Sequence, residues 1–143
     1  MNNDNVGPVA GWLPPHSVAM LLLATARAGT RPAPPGLMRQ LIAAHIQIPG
    51  LRADPVMRAA LEELETHWQR GGLRAVFDGL QVHCRRLSDS LDEAEQRQVI
   101  ASMLQVAAAV TDDGAAAQRV RAFPYAAARV WKLEDAAASI LSA

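Results

Sequence analysis

The chain has 143 residues, of which half are hydrophobic and only 4% aromatic, and its 14 basic and 14 acidic residues give a formal net charge of zero. This length fits a single domain with a substantial core. A neutral chain has no field that gathers nucleic acid or an anionic membrane surface. The one cysteine excludes an intramolecular disulfide.

The N-terminal residues 1–15 are polar and then proline-rich, which predicts an irregular arm whose Trp12 packs on the domain. No positive segment precedes an apolar run, so no secretory signal is expected. The most apolar stretch, 18–26, is far shorter than the roughly 20 residues that span a bilayer. We expect a cytoplasmic protein with one domain over 16–143 and no membrane-spanning segment.

From residue 16 onward, apolar residues recur at helical spacing. The first predicted helix covers about 16–28 and ends at Gly29, and its apolar character predicts a core helix. The second covers about 35–47, with Pro35 in its first turn.

The third predicted helix has Asp54 as its N-cap and Pro55 at its first position, and it stops at Gly71-Gly72. The fourth covers about 72–87 and carries Cys84 in its apolar stripe, which predicts a buried and inert thiol.

A capping box of Ser90 and Glu93 is expected to start the fifth helix. The sixth covers about 115–131 and should bend at Pro124, and a short last helix covers about 135–142. No segment alternates as a half-buried strand does. The sequence therefore predicts an all-α domain of about six to eight helices.

An internal repeat is suggested when the chain is moved along itself by 85 positions, because 21–29 then lies on 106–114. Both segments are apolar helices that end at a glycine, Gly29 and Gly114. Two related helical pairs would explain this pattern, although any two helix-turn-helix units align to some degree.

In Asp113-Gly114 and the segment 132–141, the chain resembles the TerB-like family of bacterial tellurite-resistance and related proteins, most closely over 95–143. The resemblance implies a helical domain of two similar halves with a stress-related role. The chain departs from the family pattern at Ala28-Gly29, where Asp-Gly is expected, and at Gln118, where an acidic residue is expected.

Asp112 and Asp113, just before Gly114, are the candidate metal ligands of the sequence. A calcium loop with Gly114 at its sixth position would have Val120 at its twelfth, where calcium needs a bidentate carboxylate, so an EF-hand is excluded. The preferred interpretation is a turn after a helix, and the alternative is an ion site.

The four histidines, His16, His45, His67 and His83, are scattered along the chain. None is three or four residues from another, so zinc binding has no local support. His45 is expected at the edge of the core and His67 on the surface.

Glu62, Glu63 and Glu65 could in principle supply carboxylates for acid–base catalysis, but exposed glutamates on the outer face of an amphipathic helix are far commoner. Two groups of arginines could likewise bind phosphate, although solvated faces or salt bridges to a partner are the preferred interpretation. These groups are Arg74, Arg85 and Arg86, and Arg119, Arg121 and Arg129.

No catalytic motif or cofactor fingerprint occurs, so the sequence favours a small cytoplasmic binding or adaptor protein. Its partner would be an unidentified protein or a second copy of the chain, with Trp12, Trp68 and Trp131 as core or interface anchors. One alternative is a metal-binding domain or metal-dependent hydrolase that uses Asp112 and Asp113. Another is a nucleic-acid-binding helical module.

Overall fold

The computed structural model describes residues 13–111 and 115–136 of the chain. Five helices are formed over these residues, and they are followed by a helical turn over 134–136. The helices are α1 (Leu13–Arg27), α2 (Pro35–Ala44), α3 (Ala53–Ser88), α4 (Glu93–Val110) and α5 (Ala115–Val130). The described residues include no strand, which confirms the predicted all-α domain.

Helix α1 is the centre of the fold. Every residue from Val18 to Thr25 is at most 6% exposed, and the helix packs against each of the other four helices. A helix that is apolar on all sides must be covered on all sides, so the aliphatic run of α1 explains its central position. The predicted core helix is confirmed.

Helix α3 is a hairpin of two helical halves that meet at Gly71 and Gly72. Gly72 has a φ of 66° and a ψ of −150°, a conformation that favours glycine because it has no Cβ. The second half folds back along the first, so that Glu63 contacts His83 across the hairpin. The interruption predicted at Gly71-Gly72 is confirmed.

The N-terminus of α3 differs from the prediction. The helix begins at Ala53, and its N-cap is Arg52, whose side chain makes no capping hydrogen bond. Asp54, the predicted N-cap, lies in the first turn, where its carboxylate accepts a hydrogen bond of 3.0 Å from Arg39 of α2. The predicted cap was wrong because the helix begins two residues earlier than expected, which places Asp54 inside its first turn.

The predicted capping box at Ser90 and Glu93 was also wrong. The box is formed two residues later, where the Asp92 side chain accepts from the Glu95 amide at 2.8 Å and the Glu95 side chain accepts from the Asp92 amide at 2.9 Å. The backbone amide of Ser90 instead donates to Leu87 and closes the end of α3.

The ends of α1 and α4 lie against each other. The carbonyl oxygen of Val110, the last residue of α4, accepts hydrogen bonds of 2.8 and 2.9 Å from the amides of Thr30 and Arg31. A Cβ atom on Gly29 would lie 2.3 Å from the Val110 side chain, so only glycine permits this approach. The two segments of the suggested repeat are thus in contact, while Gly114 lies outside the described residues.

Helix α5 and the residues after it complete the core. The indole nitrogen of Trp131 donates a hydrogen bond of 2.8 Å to the carbonyl oxygen of Cys84, and Phe123 makes an edge contact with Phe77 at a centroid distance of 5.1 Å. Burial raises the pKa of the Cys84 thiol to about 12. The predicted burial of Cys84 is confirmed, and the raised pKa agrees with the expected low reactivity.

Other boundaries shift by a few residues. The predicted arm is described only at 13–15, which belong to α1, and α2 ends at Ala44 rather than at 47. Helix α5 continues through Pro124. Within the described ranges, no helix combines the length and the apolar character needed to cross a membrane.

Candidate functional site

Four side chains from distant parts of the sequence meet near the N-terminal end of α1. Glu63 and His67 come from the first half of α3, His83 from its second half and His16 from α1. We refer to these four residues as the Glu63 cluster. The Nε2 atoms of His16 and His83 lie 2.8 and 2.7 Å from the two carboxylate oxygens of Glu63, and Nε2 of His67 lies 3.2 Å from one of them.

The Glu63 cluster corrects the prediction that the histidines are scattered and that Glu63 is a solvated outer-face residue. His16 and His83 are each 1% exposed, whereas the Glu63 side chain is 31% exposed and the His67 side chain 23%. The cluster therefore has a buried floor of two imidazoles and an outer edge that faces solvent. His67 is not the simple surface residue that was expected.

The hairpin makes the cluster possible, since Glu63 and His83 face each other across it. One turn nearer the bend, His67 lies over Gly79, and a Cβ atom there would lie 2.9 Å from the His67 Nε2 atom. The missing side chain at Gly79 thus leaves room for the imidazole of His67. The same close packing of the two halves brings His83 against α1.

Hydrogen-bond chemistry fixes the proton positions in the cluster. An ionised carboxylate can only accept, so each imidazole donates from Nε2 to Glu63. When the His83 ring carries a single proton, that proton is on Nε2, and Nδ1 accepts from the Ser17 hydroxyl 2.8 Å away. Nδ1 of His16 is buried and has no hydrogen-bond partner among the described residues.

The imidazoles keep Glu63 ionised. Burial by itself raises the pKa of Glu63, but the hydrogen bonds from His16, His83 and His67 hold that pKa well below its usual value of 4.5. Near neutral pH an ionised carboxylate thus lies between two buried ring nitrogens, all three of them groups that can ligate a metal ion.

Metal ligation is the chemistry that this geometry permits. One ligand atom each from His16, Glu63 and His83 can be chosen so that all three lie within 4.8 Å of one another. Two imidazole nitrogens and a carboxylate oxygen are a common protein ligand set for Zn²⁺ when a position is left for water or substrate.

Nucleophilic catalysis fits the same residues less well. Ser17, His83 and Glu63 form a chain of hydroxyl, imidazole and carboxylate with the connectivity of a catalytic triad. However, Ser17 is 1% exposed, so its hydroxyl cannot reach a substrate carbonyl. We therefore treat Ser17 as a residue that orients His83.

His45, the fourth histidine, lies apart from the cluster at the end of α2. Its Nε2 atom is 3.0 Å from the hydroxyl oxygen of Ser102 in α4. Burial lowers the pKa of His45 below its usual value of 6.5, and the nearby charge of Glu95 opposes that shift. This placement agrees with the expected position at the edge of the core.

The residues predicted as sites fall in different places. Asp112, Asp113 and Trp12 lie outside the described residues. Trp131 is 7% exposed and packs in the core, while Trp68 is half-buried with the guanidinium of Arg27 3.9 Å above its ring. The metal role of the two aspartates and the interface role of the tryptophans stay predictions.

Comparison of the chain with known proteins returned no match to a family model, to a curated protein sequence or to a solved structure. The resemblance to TerB-like proteins accordingly stays a prediction from the sequence.

Proposed function

We propose that the domain binds a divalent transition-metal ion, of which Zn²⁺ is the type case, through Nε2 of His16, a carboxylate oxygen of Glu63 and Nε2 of His83. The observation that carries this proposal is the convergence of two fully buried imidazoles on one ionised carboxylate. Metal binding is the alternative that the sequence raised for Asp112 and Asp113, here assigned to different residues.

The ligand atoms lie close enough together to converge on one metal ion after local rearrangement. Tetrahedral Zn²⁺ with bonds of about 2.0–2.1 Å places its ligand atoms about 3.3 Å apart. The Nε2 atoms of His16 and His83 lie 2.8 and 2.7 Å from different oxygens of Glu63, and one ligand atom from each of the three residues lies within 4.8 Å of the others, so the side chains must rearrange to reach this spacing around one ion. The metal ion then replaces the protons that the imidazoles donate.

The surroundings of His83 match those of a metal ligand. A ligating imidazole usually donates its other N–H to an oxygen atom, which fixes the ring and its tautomer. Here the Ser17 oxygen lies 2.8 Å from Nδ1 of His83 and becomes the acceptor once Nε2 holds a metal ion. The Ser17 hydroxyl can rotate between the two roles.

The unpaired Nδ1 atom of His16 also supports a metal-binding role for this residue. Buried polar atoms without a partner are rare and costly, and Nδ1 of His16 is such an atom among the described residues. An apolar side chain at this position would avoid that cost. A metal bond at Nε2 gives a reason for a histidine here.

Glu63 and His67 provide the approach from solvent. They are the two partly exposed members of the Glu63 cluster, and Nε2 of His67 already lies 3.2 Å from Glu63. His67 or a water molecule completes the coordination. Imidazole with carboxylate suits Zn²⁺, Co²⁺, Ni²⁺ and Fe²⁺ better than Ca²⁺ or Mg²⁺, which prefer oxygen ligands.

The test uses the full chain stripped of metals with EDTA. Addition of Zn²⁺ or Co²⁺ is expected to raise the melting temperature with one-to-one stoichiometry by calorimetry, because a ligand that binds only the folded state stabilises it. Ca²⁺ and Mg²⁺ should have no effect. Glu63→Gln should abolish the response, whereas the matched control His45→Gln should keep it.

A second measurement needs no variant of the cluster. In long-range ¹⁵N NMR spectra of the wild-type protein, Zn²⁺ should shift the Nε2 resonances of His16 and His83 and leave those of His45 unchanged. No response to any transition metal, or shifts confined to His45, would refute the proposal. Loss of the thermal response in Asp112→Ala/Asp113→Ala would also refute it by placing the ion at those aspartates.

A stress-related, cytoplasmic adaptor role with a TerB-like relationship is a separate proposal, for which the resemblance over 95–143 is the support. Its biochemical content is a surface that binds a protein partner. A groove lined by residues of α3 and α5 favours such a surface.

A further inference from the structure

A surface groove runs between the second half of α3 and α5. Its larger part has a volume of about 510 Å³, and an adjoining depression of about 340 Å³ shares Ala122 and Tyr125 with it. Along α5 the lining extends from Gln118 to Val130, which is about 18 Å at the helical rise of 1.5 Å per residue. The length corresponds to about three turns of a docked helix.

The floor of the groove is apolar and held in place. Phe77, Ala126 and Val130 line it, and the edge contact with buried Phe123 fixes the ring of Phe77. Tyr125 stands at the groove with 41% of its surface exposed and is among the most exposed large hydrophobic residues of the described chain. An exposed aromatic residue beside an apolar floor is typical of the centre of a protein interface.

The charge of the groove has a single sign. Arg121 and Arg129 are the charged residues that line the two depressions, and both are exposed. Neither forms an ion pair with any residue that the structure describes. By contrast, Arg39 and Arg97 on other faces pair with nearby carboxylates. Within the part of the chain that the structure describes, no carboxylate competes with a partner for the guanidinium groups of Arg121 and Arg129.

We propose that this groove docks an acidic amphipathic helix of a protein partner. The apolar face of that helix would cover Phe77 and Tyr125, and its carboxylates would pair with Arg121 and Arg129. Amphipathic helices bind apolar grooves through anchors at helical spacing, and opposite charges at the edge fix the orientation. Two arginines on a chain of zero net charge are too few for a nucleic-acid surface.

The experiment selects peptides on the wild-type protein from a random display library of about 15 residues, enough for four helical turns. The enriched peptides are expected to carry Asp or Glu together with Leu, Phe or Trp at helical spacing. Their affinity should fall with rising salt and should fall by about tenfold or more in Arg121→Glu/Arg129→Glu. Tyr125→Ala should weaken the same peptides.

The matched control is Arg58→Glu/Arg70→Glu, which makes the same charge change on exposed positions in the first half of α3. This variant should bind the selected peptides with unchanged affinity. The proposal fails if no acidic peptide is enriched, if basic peptides are enriched, or if both double variants lose peptide binding to the same extent. It also fails if the wild-type chain binds single-stranded DNA or self-associates and Arg121→Glu/Arg129→Glu abolishes that property rather than peptide binding. None of these outcomes depends on the metal site.

Discussion

Replacement of Glu63 by glutamine should destabilise the protein even when no metal ion is present. The carboxylate accepts hydrogen bonds from His16, His83 and His67. A glutamine amide keeps one acceptor oxygen but turns its NH₂ group toward another Nε2–H donor. The imidazole that faces this NH₂ group keeps its hydrogen bond only if its proton moves to Nδ1, and for buried His16 that atom has no acceptor among the described residues.

The magnitude follows from the number of bonds and their exposure. A hydrogen bond to a charged group contributes about 1.5–3 kcal/mol, and a buried donor without a partner costs about 1–3 kcal/mol. Because the Glu63 side chain is 31% exposed, solvent screens part of this energy. We expect a total loss of about 2–4 kcal/mol in the free energy of unfolding, which lowers the melting temperature by roughly 5–15 °C.

Urea denaturation followed by circular dichroism in EDTA at neutral pH measures this loss, with the m-value expected to stay constant. The control is Glu62→Gln, since Glu62 is the exposed neighbour in the same helix and should change stability by less than about 0.5 kcal/mol. Equal effects of the two variants, or a change in Glu63→Gln below that limit, would refute the proton assignment.

The pH dependence of this difference has a defined sign. A carboxylate whose folded pKa is lowered stabilises the protein fully above its unfolded pKa, and the contribution is lost as the pH falls below that value. For Glu63 the unfolded value is about 4.5. The stability difference between the wild type and Glu63→Gln should therefore be constant near neutral pH and should narrow below pH 4.5.

Three further outcomes are expected. Gly79→Ala should leave the free energy of unfolding nearly unchanged, because the gain in helix propensity offsets displacement of the His67 ring. In a His67→Ala background the same change should stabilise the protein by up to about 1 kcal/mol, as a double-mutant cycle would measure. Gly29→Ala should cost about 3 kcal/mol or more by denaturation since its Cβ meets the end of α4, whereas Gly36→Ala, with open space around it, should cost nothing. Burial lowers the pKa of His45, so the neutral imidazole contributes stability above the unfolded pKa of 6.5 that is lost as the pH falls below it. His45→Gln removes this contribution, and the melting temperature of the variant should therefore fall less steeply below pH 6.5.

The sequence predicts most of the fold because the helical signals are local. The aliphatic run of α1 indicates a helix buried on all sides, and Gly71-Gly72 marks the bend of the hairpin. The capping boxes show the limit of such signals. Ser90 and Glu93, and Asp92 and Glu95, have the same spacing and both fit the pattern, so the choice depends on where the preceding turn of α3 ends.

The Glu63 cluster is harder to predict because it depends on pairing across the hairpin. Glu63 and His83 are equally far from residue 73, as are His67 and Gly79, so the register of the hairpin relates all four. The local signal was the pair of Glu63 and His67 one helical turn apart. A pattern of two histidines three or four residues apart does not include this pair.

The position of the cluster links metal binding to folding. Buried polar groups are weak evidence for stability, since apolar replacements of similar volume are often as stable or more so. In a core that is otherwise aliphatic around α1, His16 and His83 therefore need another explanation. A metal ion held by His16, Glu63 and His83 would join the central helix to both halves of the α3 hairpin. These three residues are far apart in the sequence. Because the unfolded chain cannot bring these three residues together, the free energy of metal binding would add to the stability of the fold, and release of the ion would loosen the same junction.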